Sequence, residues 1–242
     1  IGNLGQFFQH LQVADVKNKT EDDGSVVAEF KTTDNGAAFV RRAYGAKPGL
    51  NTVTQGWFGV SIRTLAGDTN PPPVIELRLV PCAIPEKATK PKTAGAYVLT
   101  LPVDGTPHPA VHGNLPWKAG EWRNVLINIH DVLRIESGVE GVTNVNELIL
   151  AFPEKTIRTF QIRSAAVLAP YADAHVVRFR AYDASGIAGL VWEGGQSAQL
   201  GIRPSRVTRP AGAVWLDVRV RDRAGNRTPI FMIPVPPLPL PD

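Results

Sequence analysis

The sequence predicts an all-β protein: a jelly-roll β-sandwich followed by a second, smaller β-sandwich. Three observations predict it. The segments GWFGVSIR (56–63), VIELRLV (74–80), AYVLTLPV (96–103), ELILAFP (147–153) and TFQIRSAAVLAP (159–170) place apolar side chains near every second position, the period of a half-buried strand. Long helical periodicity is missing. Gly 22 and Pro 21 supply the turns that short strands need.

The strands follow in order at 26–31, 37–44, 57–64, 74–80, 96–102, 124–130, 147–152 and 158–168. Asp22-Asp23-Gly24, Asp34-Asn35-Gly36 and Asp104-Gly105 are the turn residues between them. Residues 81–95, rich in Pro and Lys, read as an exposed loop. Residues 104–119 read as another, holding His108, His112, Asn114 and Trp117. HDVLRIESG (130–138) carries a short helical turn between strands. Eight strands with long connections fit a jelly roll better than an up-and-down barrel.

Composition divides the chain. All nine lysines lie at or before Lys155, whereas residues 170–242 hold nine arginines and no lysine, and the formal charges of the two parts are +1 and +3. The break falls at Ala169-Pro170, where a strand pattern ends. The expected domains are therefore 1–169, 170–233 and a proline-rich tail or linker, 234–242 (PVPPLPLPD). Lys and Arg are scattered within each part, which argues against a nucleic-acid surface. No apolar run approaches the ~20 residues of a membrane helix. Cys82 is the only cysteine, so no intrachain disulfide forms, and its place at a strand end fits an inert thiol. The chain starts at Ile1 rather than Met, as in a mature or excised fragment. Asn18-Lys19-Thr20 and Asn226-Arg227-Thr228 are sequons that matter only in a glycosylating source.

Each strand has one apolar and one polar face. Phe58, Val60 and Ile62 oppose Trp57, Gly59, Ser61 and Arg63; Ile75, Leu77 and Leu79 oppose Glu76 and Arg78; Val125, Ile127 and Ile129 oppose Asn128 and His130; Phe160 and Ile162 oppose Gln161 and Arg163. If the polar faces share one sheet, Trp57, Arg63, Glu76, Arg78, Asn128 and Gln161 line a common surface. An aromatic ring there offers a flat apolar platform to a sugar ring, and the planar polar groups offer directional hydrogen bonds to hydroxyls. Trp117, in HGNLPWKAGEW, either stacks on that ligand from the sandwich edge or plugs the end of the core. Trp122 is expected in the core, and Tyr97 fits either side. His108 and His112 are four apart, but Pro107 and Pro109 exclude a helix, and no Cys or third His supports a metal site. There is no closely spaced carboxylate set, no G-x-S-x-G elbow and no phosphate loop, so no catalytic residue is assigned.

Lys118-Ala119-Gly120-Glu121-Trp122-Arg123-Asn124-Val125, Leu126-Ile127-Asn128-Ile129 and Thr159-Phe160-Gln161-Ile162-Arg163-Ser164-Ala165-Ala166-Val167 carry a resemblance. Residues 25–168 resemble the galactose-binding-like jelly-roll carbohydrate-binding modules of secreted polysaccharide-degrading enzymes, with their G-x-W-x-x-V strand and an aromatic-x-Ile final strand. Many relatives have Asp where this chain has Arg163, and that Asp often supports a structural calcium ion. The resemblance thus implies calcium as a cofactor and this substitution argues against it; no other cofactor is implied. The second module resembles bacterial immunoglobulin-like domains in Tyr182-Asp183-Ala184-Ser185-Gly186-Ile187 and Val220-Arg221-Asp222-Arg223-Ala224-Gly225-Asn226. There Asp183 and Asp222 read as turn-forming, and Trp192 and Trp215 as core.

The expected function is a non-catalytic, glycan-binding accessory region of a larger extracellular or periplasmic carbohydrate-active protein. Its partners are a polysaccharide or oligosaccharide and further domains of the same polypeptide, with no nucleic acid and no membrane span. Two alternatives stand beside it. Both modules are spacers that position a catalytic domain, or the sandwich is itself a small lyase or glycoside hydrolase using scattered acids and the loop histidines.

Overall fold

A computed structural model of the chain describes residues 9–12, 16–22, 26–42, 49–54, 56–91, 93, 95–113, 116–168, 176–179, 187–192, 197–198, 205–208, 215–222 and 231–234. The chain forms two compact units: Gly2–Lys19 with Val27–Pro170, and Tyr171–Asp242 with Thr20–Val26 and Ile1.

Among the described residues, twelve strands build the larger unit: β1 (Gln9–Gln12), β2 (Val16–Thr20), β3 (Val26–Lys31), β4 (Ala37–Arg42), β5 (Leu50–Asn51), β6 (Trp57–Thr64), β7 (Glu76–Pro81), β8 (Tyr97–Thr100), β9 (Val111–His112), β10 (Arg123–Asn128), β11 (Asn144–Phe152) and β12 (Thr159–Leu168). One sheet has the order β1-β4-β11-β7-β8 with β5 on β11; the other has the order β2-β3-β12-β6-β10-β9. The pairings of β4 with β1 and β11, of β11 with β5 and β7, of β7 with β8, of β12 with β3 and β6, and of β10 with β6 and β9 are antiparallel. Successive strands repeatedly change sheet, so neighbours in space are seldom neighbours in sequence. That is the connectivity of a jelly-roll sandwich. The eight expected strands are present, joined by the short β1, β2, β5 and β9, whose two to five residues hold too few alternations to be read.

The core lies between the sheets. Phe30 and Phe160 from one sheet meet Phe39 and Phe152 from the other: Phe30 lies 4.6 Å from Phe39 and 5.1 Å from Phe152, and Phe152 lies 4.6 Å from Phe160, all centroid to centroid. Such edge-to-face and tilted pairs add about 0.5–1.5 kcal/mol each beyond the area they bury. Phe58, Val60 and Ile62 of β6, Val125 and Ile127 of β10, Leu77 and Leu79 of β7, and Leu148 and Leu150 of β11 fill the rest. Tyr97 is in this core, its hydroxyl donating to the Thr89 carbonyl at 2.6 Å.

One expected strand stops early. Residues 129–130, read as the end of a strand, open the helix α1 (Ile129–Ser137). The cause is local: Asn128 caps the helix, its side chain accepting from the Asp131 N–H at 3.2 Å, and Gly138 ends it at φ 72° with its N–H on the Arg134 carbonyl. Ile129, Val132 and Leu133 turn into the core. Cys82 is half-buried just beyond β7, its thiol donating to Asn146 Oδ1 at 2.9 Å.

The connection 65–75 is held by an ion cluster. The Arg158 side chain is only 3 % exposed; Nη1 meets Asp68 Oδ2 at 3.3 Å and donates to the Pro71 carbonyl at 3.0 Å, while Nη2 meets Glu154 Oε2 at 3.0 Å. Glu154 in turn accepts from the Val74 N–H at 2.6 Å.

In the smaller unit, β13 (Val176–Phe179) pairs with β16 (Ser205–Thr208), and β15 (Ser197–Ala198), β14 (Ile187–Trp192), β17 (Trp215–Asp222) and β18 (Phe231–Pro234) form a four-stranded antiparallel sheet in that order. Asp183, residues 223–226 of the second turn motif, the sequon Asn226 and the tail from 235 onward lie outside the described residues. No helix among the described residues is long and apolar enough to cross a membrane.

Candidate functional site

The polar faces of the strands do not share one sheet. Trp57, Arg63, Asn128 and Gln161 belong to the β6, β10 and β12 sheet, whereas Glu76 and Arg78 are on β7 in the opposite sheet. Since the apolar faces of both sheets meet in the core, the two polar faces point away from one another. The expected six-residue surface therefore splits. Glu76 and Arg78 satisfy each other instead, with Arg78 Nε donating to Glu76 Oε2 at 2.7 Å and Nη2 on the same oxygen at 2.7 Å. Two residues apart on one strand, they sit side by side on one face.

The outer face of the β6 sheet carries the richest chemistry. Register places Asn128 opposite Trp57, Leu126 opposite Gly59, Asn124 opposite Ser61, and hence position 122 beside Arg63. On the other side of β6, Gln161 is opposite Arg63, and Glu29 of β3 is opposite Gln161. The side chains connect along this row. Arg63 Nε donates to Gln161 Oε1 at 2.7 Å, Gln161 Nε2 donates to Glu29 Oε2 at 2.7 Å, and Lys19 Nζ of β2 reaches Glu29 at 3.7 Å. At the β10 end of the row stands Trp122. The Arg63 guanidinium lies 4.3 Å and the Arg163 guanidinium 4.9 Å from its ring centroid.

Trp122 is thus not in the core. It is half-buried on the polar face, stacked by two arginines. Its parity with Asn124 and Asn128 on β10 is the sequence signal that places it there. The other missed members, Glu29, Lys19 and Arg163, come from strands whose neighbours no sequence pattern names.

At the opposite end of the same face, Trp57 lies 5.4 Å from the ring of His112, an edge residue of β9 that pairs with Leu126. Burial pushes the His112 imidazole below its ordinary value, with Asp131 pulling more weakly the other way. Trp57 and Arg63 are six positions apart on β6, which puts the two indoles about 20 Å apart along the strand direction. Between them the face is closed, Leu126 and Ser61 both being 0 % exposed, and Gln161 across from Arg63 is only 1 % exposed. Ser61 Oγ donates to Asn124 Oδ1 at 2.6 Å.

Trp117 packs, partly buried, against the core cluster, with the Arg123 guanidinium 6.0 Å from its ring. Arg123 donates from Nη2 to the Pro102 carbonyl, and burial lowers its pKa to about 10 against a smaller opposing pull from Asp104. Asp104 is itself held below the ordinary carboxylate value, chiefly by hydrogen bonds from Thr106. His108 stabilises a turn: its Nδ1 accepts from the Ala110 N–H at 3.2 Å. Among the described residues, no group of three or more His, Cys, Asp or Glu is placed to hold a metal ion.

No family model matches the chain, and no curated protein matches it. Solved structures do. The chain is similar to the family 30 carbohydrate-binding module of the cellulosomal cellulase Cel9D-Cel44B of Clostridium thermocellum, at 13 % identity and TM-score 0.40 over 67 % of this chain and 90 % of that one. It is similar to the family 11 carbohydrate-binding module of the cellulosomal cellulase Lic26A-Cel5E of the same organism, at 13 % identity and TM-score 0.34 over 64 % and 81 %. It is also similar to a β-1,2-glucanase from Parabacteroides distasonis, at 11 % identity and TM-score 0.36 over 96 % of this chain and 37 % of that one.

Proposed function

We propose that residues 1–169 are a non-catalytic glycan-binding module and that residues 170–233 are an immunoglobulin-like spacer, both accessory to an extracellular carbohydrate-active protein. The observation that carries the reading is the outer face of the β6 sheet, where Trp122 ends a row of planar hydrogen-bonding groups that crosses the strands and a second indole, Trp57, stands at the other end of β6. A half-buried indole such as Trp57 gives a sugar ring an apolar platform, while the Arg63–Gln161–Glu29 chain of hydrogen bonds fixes the polar side chains at the other end of the face. A row built on three neighbouring strands is rigid, which limits the entropy lost on binding. The reading uses no metal: at the position where the resemblance implies a calcium-supporting carboxylate, Arg163 presents a cation, and calcium takes oxygen ligands.

The test is native electrophoresis in gels cast with a panel of soluble polysaccharides, wild type beside Trp122→Ala and Trp57→Ala. Retardation lost in either variant supports the reading and assigns the end of the face. Retardation unchanged in both removes this face as the site. Release of reducing sugar from any polymer by the chain alone would refute the non-catalytic reading.

One observation favours a second reading, in which the modules are purely structural. Val27, Leu126 and Gln161 on this outer face are all buried, so its centre does not meet water. A scaffold closes such a face permanently, and then no polymer retards the chain.

A further inference from the structure

We infer that the Trp57 end of this face is a subsite for one uncharged sugar ring, laid on the Trp57 indole and bonded by the Asn128 carboxamide and the His112 imidazole; the inference rests on the glycan-binding reading above. Leu126 of β10 pairs with Gly59 of β6 on one side and with His112 of β9 on the other. Trp57 and His112 therefore start from strands two apart in the sheet, a span of about 9.5 Å. Their ring centroids are nevertheless 5.4 Å apart. Contact over that span requires the two side chains to lean across β10. Leu126 stands between them, turned away from the core cluster, and is 0 % exposed: the two rings roof it. An indole laid over Leu126 has one π face inward and the other outward. Gly59, the next residue on this face of β6, has no side chain to hold the indole upright. The imidazole meets the indole at a 50° tilt rather than lying parallel upon it, and Trp57 keeps partial exposure.

Asn128 is directly opposite Trp57. The helix that Asn128 starts also orients its carboxamide. A backbone N–H only donates, so the 3.2 Å bond from Asp131 turns Oδ1 toward α1 and leaves both Nδ2 hydrogens for another partner. Among the described residues those hydrogens have no partner, and neither ring nitrogen of His112 has one. Burial favours the neutral imidazole, in which one nitrogen donates and the other accepts. A sugar ring uses all three groups: its C–H face lies on the indole, and its hydroxyls bond the amide and the imidazole. The charge that bears on His112 is the Asp131 carboxylate, itself held by Arg134 at 3.4 Å. Trp57, Leu126 and Asn128, which face His112 from β6 and β10, carry no charge, and His108 on the turn before β9 is engaged by the Ala110 N–H. A sugar carboxylate or sulfate would meet an acid here, so the ring is uncharged.

The experiment separates the ligand contact from the cap. Serine caps a helix about as well as asparagine but has no carboxamide arm. Native gels are cast with hydroxyethylcellulose or galactomannan as neutral polymers and with polygalacturonate as the acidic one. The expected result is that a neutral polymer retards the wild type and polygalacturonate does not. Asn128→Ser keeps the wild-type Tm, while its affinity for that polymer falls about tenfold, the scale of one or two hydrogen bonds. Unchanged affinity in Asn128→Ser overturns the inference and leaves the glycan reading intact. Retardation by polygalacturonate, alone or as strongly as by a neutral polymer, does the same. No binding to any polymer overturns both. If Asn128→Ser melts below the wild type, the wild type decides. Oligosaccharides cut from the retarding polymer must then shift the NMR signals of the Asn128 side-chain amide and the Trp57 indole N–H, and signals that do not move overturn the inference.

Discussion

Arg158→Met tests whether the ion cluster under the 65–75 connection holds the sandwich together. The arginine is 3 % exposed, between Asp68 at 9 % and Glu154 at 16 %, with a third bond to the Pro71 carbonyl. At these exposures solvent screens the pairs little. Methionine fills similar volume but leaves two poorly solvated carboxylates facing each other and a carbonyl without its donor. Removing one partner of a buried ion pair costs about 3–5 kcal/mol. Arg158 Nε has no partner in the wild type, so the native cluster already bears one unsatisfied donor; this places the expected loss near the lower figure, about 3 kcal/mol. The assay is equilibrium urea unfolding followed by indole fluorescence, to which Trp57, Trp117 and Trp122 of this unit contribute. With a urea slope of about 2–3 kcal/mol/M, the midpoint falls by about 1–1.5 M. Glu154→Gln added to Arg158→Met recovers part of the loss, because it removes one uncompensated charge. A midpoint shift below about 0.3 M, or no recovery in the double variant, would refute the reasoning.

Two further outcomes follow from the same geometry. Asn128→Ala removes the side-chain acceptor of the Asp131 N–H and lowers stability by about 1 kcal/mol, read as a fall in Tm, while Asn128→Asp retains most of it; equal losses in the two variants would show that the cap is not the cause. His112 binds its proton less readily folded than unfolded, because burial depresses its pKa. Stability is therefore whole above the unfolded value near 6.5 and declines as pH falls through it toward the folded value. The urea midpoint drops as pH falls below about 6.5, the ordinary imidazole value, and His112→Asn flattens that step; parallel pH profiles would count against it.

Much of the sandwich was legible in the chain because strand alternation is a local property. Phe58, Val60 and Ile62 on β6, or Leu77 and Leu79 on β7, declare their inward face by period alone, and all are in the core. Pairs were legible only where they sit on one strand. Sequence placed Glu76 beside Arg78 correctly yet assigned both to the wrong surface, since parity states which residues share a face and not which sheet the face belongs to. Arg158 gave no signal, for its partners Asp68, Pro71 and Glu154 meet it through a connection of no regular period. Trp122 was misplaced for another reason. An indole before an apolar strand resembles core by composition, whereas counting back from Asn128 puts it on the polar side.

The alternating strands, the turn residues between them and the cap that starts α1 follow from neighbours a few residues away, so the sequence by itself determined them. The row from Lys19 through Glu29, Gln161 and Arg63 to Trp122 and Arg163 needed the tertiary structure. It crosses five strands whose order in the sheet is not their order in the chain, and one of its members is placed by a bulge. Strand order and bulges are set by how two twisted sheets close over a shared core, a long-range packing problem that no local period encodes.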